Sequence, residues 1–246
     1  MVNVATLRIG TAGWAIPAAV RDRFPAEGSG LERYAARLGA VEINSSFYRP
    51  HRASTYARWA ASVPADFRFA LKLPKTITHG ARLVECGALL AAFAEQIAPL
   101  GARLGPLLVQ LPPSLRFESA VVVDFFATLA GTIATPAVCE PRHLSWFTPE
   151  ADAVLADHRI ARVAADPALC EAAALPGGWL GLTYHRLHGS PQMYRSPYSD
   201  EQVQTLAAQV VQGGAAESWV IFDNTASGAA LPNALALQAA RSSSSA

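Results

Sequence analysis

Polar and ionisable residues stand at the ends of short apolar segments along this chain of 246 residues. Within each segment they share even-numbered positions, so in a β-strand they point to one face. The residues concerned are Glu42, Asn44, Lys72, Gln110, Glu140, Arg142, Asp166, Arg186, His188 and Asn224. Carboxylates, basic side chains and an imidazole gathered at one edge of a sheet could bind an anion and transfer protons. The sequence therefore predicts one polar site built from several segments.

Glu140 and His188 are the first candidates for acid–base chemistry. Glu140 can act as a general acid or base tuned by burial and an arginine partner, or as half of an internal ion pair with Arg142 or Arg186. We expect it to lie near the rim, where water can replace a lost partner. His188 is predicted to shuttle or orient a proton, and Asp166 is a further catalytic candidate because it also ends a segment.

Lys72 and the segment from Glu42 to Tyr48 allow several roles. Lys72 can be an anion clamp, a Schiff-base amine, a desolvated base, or a plain salt-bridge partner of Glu42 or Glu140. Glu42 is expected to lie deeper and to be structural, whereas Asn44, nearer the rim, is expected to contact ligand. Phe47 and Tyr48 can stack on a ring or cover the pocket.

The most specific chemical prediction is an anion site after the last two segments. Free N–H groups at a helix start attract anions, and glycine permits close backbone approach. The predicted contributors are His188, Gly189, Asn224, Ser227 and Gly228, with Arg186 or Lys72 nearby. By the same even register Asp223 is expected to face the helices.

Alternating helices and strands must position these residues. Strands are predicted at 7–11, 41–44, 67–73, 107–111, 137–140, 161–165, 184–188 and 219–223. Helices are predicted between them, with Ser54 and Ser199 as N-caps, a weak helix at most in 168–179, and a last helix over 229–239. The pattern favours a single-domain (β/α)8 TIM barrel over residues 1–240, with an open doubly wound sheet as the alternative. The Ser-rich tail, 241–246, is expected to be disordered.

Composition narrows the functions further. With 51% hydrophobic and 16% charged residues the chain can build a large core, and a net charge of +1 argues against broad attraction to nucleic acid or membrane, while leaving a local basic groove open. Three cysteines without a CxxC pair fit reduced thiols. No signal peptide or spanning segment is recognised, so we expect a cytoplasmic protein.

Six motifs together resemble the YecE-like family, domain of unknown function 72. They are GTAGW at 10–14, EINSSFY at 42–48, Lys72 with Thr78-His79, QLPP at 110–113, EPRH at 140–143 with Trp146, and His188-Gly189. The resemblance spans nearly the whole chain and implies a TIM barrel, with no established activity or cofactor. In the family pattern an aromatic residue precedes paired asparagines, whereas Phe222-Asp223-Asn224 carries an acid in that place.

Three functions follow from these residues. The first is an enzyme acting on a small phosphorylated or carboxylated substrate, with Lys72 and Arg186 as charge clamps. The second is a metal-dependent phosphodiesterase acting on nucleic acid, which would need His51, His79 or His143 to fold inward beside His188. The third is a noncatalytic small-molecule binding protein. No nucleotide-binding, metal-binding or hydrolase motif is present, so no cofactor is predicted, and the sequence does not indicate an oligomeric state.

Overall fold

The structure is a computed structural model that describes residues 6–243. Within this range it contains ten β-strands and eight α-helices. The strands are β1 (Thr6–Thr11), β2 (Ala40–Ile43), β3 (Arg68–Lys72), β4 (Leu104–Gln110), β5 (Ala137–Glu140), β6 (Ala161–Arg162), β7 (Ala164–Asp166), β8 (Gly177–Gly178), β9 (Leu182–Leu187) and β10 (Glu217–Phe222). The helices are α1 (Gly30–Ala35), α2 (Ser45–Tyr48), α3 (Ala53–Ala61), α4 (Gly87–Ile97), α5 (Ser119–Thr132), α6 (Pro149–Asp157), α7 (Asp200–Gln212) and α8 (Ala230–Ser243). Strands and helices alternate along the chain, as the sequence predicts.

The strands form two sheets. Their orders are β1-β10-β9-β7 and β2-β3-β4-β5-β6-β8, and every pairing is parallel except that of β6 with β8. A single parallel bridge from Ala12 to Glu42 connects β1 with β2 across the sheet edges. The protein is therefore a single-domain mixed α/β fold with parallel sheets, and the carboxyl ends of the parallel strands lead into the loops that carry the predicted site.

Two hydrophobic clusters support the sheets. The larger one packs helices against the outer faces of the strands, as Phe125 of α5 and Leu235 of α8 illustrate. The inner cluster contains buried residues that come from the strands of both sheets and from the break between β6 and β7. Its members are Ala40, Ala70, Leu108, Val138, Ala161, Val163, Leu182, Tyr184, Trp219 and Ile221. Because this cluster joins the two sheets, it shows which face of each strand points inward.

The predicted helix termini are confirmed at the start of α7 and are wrong at the start of α3 and at the end of α8. Ser199 caps α7 in a capping box with Gln202, as expected. Ser54 is not a cap, because α3 already begins at Ala53. The last helix continues to Ser243, so the disordered tail predicted from Arg241 is wrong for Arg241–Ser243, and 244–246 lie outside the described residues. No described helix is long and apolar enough to span a membrane.

The crossover between β7 and β9 has no α-helix. The predicted sixth strand, 161–165, is interrupted at Val163, which separates β6 from β7. The following segment contains only a 3-10 turn, Glu171–Ala174, and the short strand β8, which pairs antiparallel with β6. The weak helix allowed by the sequence is thus a single 3-10 turn.

Candidate functional site

A buried arginine of β9 contacts carboxylates from three other parts of the sheets, namely β2, β5 and the residue directly after β10. Arg186 of β9 donates from Nε and Nη2 to the two carboxylate oxygens of Glu42, at 3.1 and 2.7 Å. Its Nη1 donates to Glu140 at 2.7 Å, and Nη2 also reaches Asp223 at 3.1 Å. Tyr184 donates its hydroxyl to Glu42 at 2.8 Å. Arg186 and Glu140 are each only 1% exposed, so these charges compensate each other without solvent.

The network determines the ionisation of its members. Burial opposes the charge of Glu140, but Arg186, His188 and Arg142 outweigh it and hold the pKa of this carboxyl well below its ordinary value. The pKa of Asp223 is lowered against burial by Arg186 and His188. Burial works against the charge of Arg186 too, yet the carboxylates raise its pKa. Both carboxyls are therefore ionised at neutral pH. Glu140 cannot serve there as a general acid, which narrows the acid-or-base role predicted for it.

His188 has a different partner at each ring nitrogen. Its Nδ1 lies 3.0 Å from Asp223 Oδ2. Its Nε2 lies 2.9 Å from Glu140 Oε1 and 3.0 Å from Arg142 Nη2. A neutral imidazole can accept from Arg142, while an imidazolium can donate to Glu140. Tyr194 covers the ring edge-on, with centroids 5.7 Å apart. His188 is therefore oriented by Asp223 and has a partner in either protonation state.

Three polar groups beside this network are not fully paired. Arg142 donates from Nη2 to Glu140 at 2.7 Å, but its Nε is buried without a hydrogen-bond partner among residues 6–243. The Oδ1 of Asn44 is likewise buried and unpaired in that range, while its Nδ2 lies 3.5 Å from Asp223. Unpaired buried donors and acceptors are rare in native proteins, which makes both atoms candidates for ligand contacts.

Lys72 is the third such group. Its ammonium makes no hydrogen bond or ion pair within the described part of the chain and lies 4.2 Å from the centroid of the Phe47 ring. Burial and the nearby Arg186 lower its pKa to about 8, partly opposed by Glu42 and Glu140. The salt bridge considered from the sequence is therefore not formed. Lys72 is positioned either to bind an anion when charged or to act as an amine when neutral.

The prediction that even-numbered residues face the site is wrong for two strands, β10 and β7. In β10 the inner cluster contains Trp219 and Ile221, so the inward face continues to Asp223 and not to Asn224. Asp223 therefore joins the site, whereas Asn224 donates to Ser196 O and Asn233 Oδ1 on the helix side. Parallel strands are buried on both faces, so their sequence does not reveal which face is inward.

Asp166 is displaced for the same reason. Ala161 and Val163 belong to the inner cluster, which places the following odd-numbered position inward and Asp166 outward. Its carboxylate accepts a hydrogen bond from the Tyr198 hydroxyl at 2.5 Å and makes no hydrogen bond or ion pair with Glu140 or His188. Asp166 is therefore not part of the acid–base cluster that the sequence predicts.

The donors of the predicted anion site are already engaged. Gly189 N donates to the Tyr198 hydroxyl at 2.8 Å, and Gly228 N donates to Thr225 O. The hydroxyl of Ser227 donates to Arg195 O. The last helix begins at Ala230, whose N–H donates to Asn224 O. Within the described residues these donors are therefore bonded to the protein itself, and an anion bound as predicted would have to replace those hydrogen bonds.

The other predicted binding residues lie at the margin. Gln110 stands beside Glu140 in the β4–β5 register, but its amide donates to Leu111 O at 2.8 Å. Tyr48 is 70% exposed and contacts Phe47 edge-on. Neither touches the Arg186 network. Tyr184, by contrast, was missed although it shares the register of Arg186 two residues later, and this spacing is the signal that could have identified it.

The loop histidines have partners of their own. His51 lies 2.8 Å from Ser45 Oγ, His79 contacts Thr78 at 2.9 Å, and His143 contacts Ser145 at 2.9 Å. None of these three histidines makes a hydrogen bond or ring contact with His188 within the described residues. Within residues 6–243, no three His, Cys, Asp or Glu side chains are grouped so that they could hold a metal ion.

Comparison with known proteins identifies relatives of this chain. A family model described as "Protein of unknown function DUF72" matches residues 8–245. UPF0759 protein YecE of Escherichia coli K12 is 36% identical over 104 residues, which is 42% of this chain and only 37% of that relative's length. A DUF72 family protein from Thermotoga maritima MSB8 has a similar solved structure, with a TM-score of 0.78, 26% identity and coverage of 95% of this chain and 98% of that one. One from Enterococcus faecalis V583 has a TM-score of 0.80 at 22% identity, covering 96% of both chains. The motif resemblance is thereby confirmed, and the chain belongs to the DUF72 family.

Proposed function

We propose that this protein is an enzyme that transfers a proton to or from a small substrate bearing a carboxylate or phosphate. One observation carries the proposal. The Nε2 atom of His188 lies between a donor on Arg142 and an acceptor on Glu140, while Nδ1 is held by Asp223. An imidazole that has a partner in both protonation states suits general acid–base catalysis.

Each residue then has a defined part. The ionised Glu140 stabilises the imidazolium that forms when His188 takes a proton from the substrate. Asp223 orients the ring by accepting from Nδ1. Tyr194, edge-on against the ring, limits the approach of water. This assignment makes His188 the proton carrier and Glu140 its electrostatic partner.

The substrate anion is assigned to Arg142 and Lys72. The buried Nε of Arg142 lacks a partner, and the Lys72 ammonium makes no ion pair in the described structure. Both would gain charge-assisted hydrogen bonds from a carboxylate or phosphate. The unpaired Oδ1 of Asn44 would accept from a hydroxyl or amino group of the same molecule. The substrate class that fits these three atoms is a small acid or phosphate ester with a neighbouring hydrogen-bond donor.

We also propose that the two sheets form a (β/α)8 barrel with this site at its carboxyl face. Leaving out the antiparallel β8 and counting β6 and β7 as one interrupted strand gives eight parallel units, and the bridge from Ala12 to Glu42 joins the sheets at one side. The similar structures cover nearly the whole chain. The three cysteines are free thiols, which supports a reducing compartment such as the cytoplasm.

Titration with inorganic phosphate, followed by amide NMR shifts, tests the anion site. We expect saturable amide shifts at 44–48, 72–73 and 142–144 at millimolar phosphate. Arg142→Gln should weaken binding about tenfold, because it removes a charge-assisted contact. The matched control is Arg195→Gln, an exposed residue in the loop after β9, which should leave binding unchanged. Shifts centred on 188–190 and 224–229, or none that saturate, would overturn this assignment.

Turnover separates an enzyme from a binding protein. Small carboxylates and phosphate esters that bind are incubated with the wild type and with His188→Gln, and products are followed by NMR. An enzyme loses turnover in the variant while the phosphate affinity stays within about threefold, because His188 is not assigned to the anion. Thermal melts establish that the variant is folded. Binding without turnover in the wild type would favour the noncatalytic alternative.

A further inference from the structure

A groove opens beside the crossover that lacks a helix. It lies between α7 and the outer faces of β7 and β9, and its cavity volume is about 390 Å³. Its floor is apolar, formed in part by Leu187 and Phe222, and Leu206 of α7 lines one wall. We call this space the α7 groove. Its volume falls in the range of small-molecule sites, about 300 to 1,000 Å³.

His185 lines the α7 groove and is the unusual residue in it. The side chain is buried, with 8% exposure, and belongs to the outward face of β9, away from the Arg186 network. Its ring makes no hydrogen bond or ion pair with any residue in 6–243. Burial lowers its pKa to about 4, so the imidazole is neutral at physiological pH. A neutral imidazole offers one N–H donor and one acceptor nitrogen, and neither is used within the protein.

The charges around the α7 groove indicate what it would accept. Asp166 and Glu201 line it, and no arginine or lysine does so among the described residues. Tyr198 closes the end toward the loops by donating to Asp166 and packing edge-on against Phe222. An anion would meet two carboxylates and no cation there. The apolar floor instead favours a ring that remains neutral or carries a positive charge.

We propose that the α7 groove binds a small neutral or cationic aromatic molecule that hydrogen-bonds His185. The ring packs on Leu187 and Phe222, and a polar edge of the ligand pairs with the imidazole. The groove lies on the opposite face of β9 from the proposed anion site and requires the opposite charge of ligand. The proposed aromatic site is therefore tested independently of the proposed enzymatic function.

Indole, benzamidine and benzoate are suitable probes because they share a planar ring and differ in charge. We expect indole and benzamidine to shift amides of 164–166, 185–187 and 203–209 in a saturable manner, with dissociation constants of about 1 mM for molecules of this size. Benzoate should bind this groove at least about tenfold more weakly, because Asp166 and Glu201 repel it. Equal binding of all three probes would overturn the charge argument.

Two variants test the position. Gln209→Trp places a large ring in the α7 groove from an exposed helical position and should weaken indole binding about tenfold. Gln204→Trp, exposed on the same helix but not lining the groove, is the matched control and should bind as the wild type does. His185→Phe should weaken benzamidine about fivefold through loss of the hydrogen bond.

Three results would overturn the proposal. The first is the absence of saturable shifts in the α7 groove with indole and benzamidine. The second is unchanged indole affinity in the Gln209→Trp variant. The third concerns self-association, measured as the transverse NMR relaxation rate of the protein. If this rate rises with protein concentration in the wild type and is lower in the Gln209→Trp variant, a second copy of the chain covers the α7 groove.

Discussion

Two arginines, one near the end of β9 and one just after β5, show how similar charges can have different roles. Arg186 is 1% exposed and contacts three carboxylates through Nε, Nη1 and Nη2. Arg142 has a side chain that is 19% exposed, forms an ion pair with one carboxylate, Glu140, also lies within hydrogen-bond distance of His188, and retains an unpaired Nε. The first is satisfied within the protein, whereas the second has bonding capacity left for a ligand.

The difference follows from burial. A fully buried charge must be neutralised by the fold itself, because an unpaired ion in the interior costs several kcal/mol. A charge near solvent can remain partly unpaired at little cost, since water or a ligand can meet it. Full pairing at Arg186 therefore indicates a structural role, and the incomplete pairing of Arg142 is available for the proposed ligand. Lys72 differs from both, because it is a buried cation without an ion pair among the described residues, and a bound anion would reduce the cost of its charge.

The largest expected effect is that of Arg186→Met. This change leaves Glu42 without its guanidinium partner and should lower the free energy of unfolding by about 3 to 5 kcal/mol. Arg142→Met should cost about 1 kcal/mol, because Glu140 keeps Arg186 and solvent is close. Urea unfolding of both variants measures the difference. Equal losses for the two would break the distinction between a structural and a binding arginine.

Lys72→Met should stabilise the protein. The wild-type ammonium is buried without an ion pair, and its pKa of about 8 means that its charge is disfavoured by folding. We expect a gain of about 1 to 2 kcal/mol at pH 7, after allowing for the lost contact with Phe47. The same variant should bind phosphate at least about fivefold more weakly. The control is Lys75→Met, at the chain's other and exposed lysine, which should change stability by less than about 0.5 kcal/mol.

The pH dependence of Lys72 has a definite sign. Its folded pKa, about 8, lies below the unfolded value of about 10.5, so the unfolded chain binds more protons between these two values. Wild-type stability should therefore rise from pH 8 to 10.5 relative to that of Lys72→Met. If the stability difference between the wild type and Lys72→Met stays constant across this range, Lys72 is not desolvated. The proposed phosphate site would then retain Arg142 as its only assigned cation.

The fold was largely predictable because its signals are local. Apolar segments of strand length alternate with helical spacing, and the bounds of β5 are those predicted, Ala137–Glu140. Ser199 and Gln202 mark the start of α7 through a capping box that the sequence shows directly. The break at Val163 was not predictable, because it separates two strands with different partners: β6 pairs with β5 and β8, whereas β7 pairs with β9.

The site was predictable only in part. Glu42, Glu140, Arg186 and His188 converge as expected, since they end parallel strands with the same inward register. Glu140 is more deeply buried than its rim position suggested, so its loss should affect stability as well as function. Asp223 was assigned to the wrong face because register depends on how each strand is packed and not on residue parity.

The glycines illustrate a different limit. Gly189 has a φ of +92°, and a Cβ there would approach Ser196 O within 2.8 Å. The sequence correctly suggested close backbone approach, but the partner is the protein's own loop and not an anion. Gly228, at φ +79°, turns the chain toward α8 against Pro17. Which group fills the space beside a glycine is a tertiary property that the motif cannot supply.

The smallest effect on stability should come from Asp223→Asn. The Asp223 side chain connects the buried ions around Arg186 with the polar groups at the rim. Asp223 contacts Arg186 in the interior and His188 and Asn44 toward the rim. Asparagine keeps an acceptor oxygen but loses the charge, so we expect a loss of about 1 kcal/mol at pH 7. Urea unfolding at pH 7 measures this loss against Asp157→Asn, an exposed control that should stay within about 0.5 kcal/mol of the wild type.

The pH dependence of this variant tests whether charge is responsible. The pKa of Asp223 is lowered in the folded state, so its contribution is complete above the unfolded value of about 3.9 and is lost as pH falls through the folded value. The difference between wild type and Asp223→Asn should therefore shrink in acid. Because all other carboxyls are common to both proteins, a difference that stays constant below pH 4 would assign the role of Asp223 to hydrogen-bond geometry alone. Asp223 would then belong with Asn44 at the rim and not with the buried ions around Arg186.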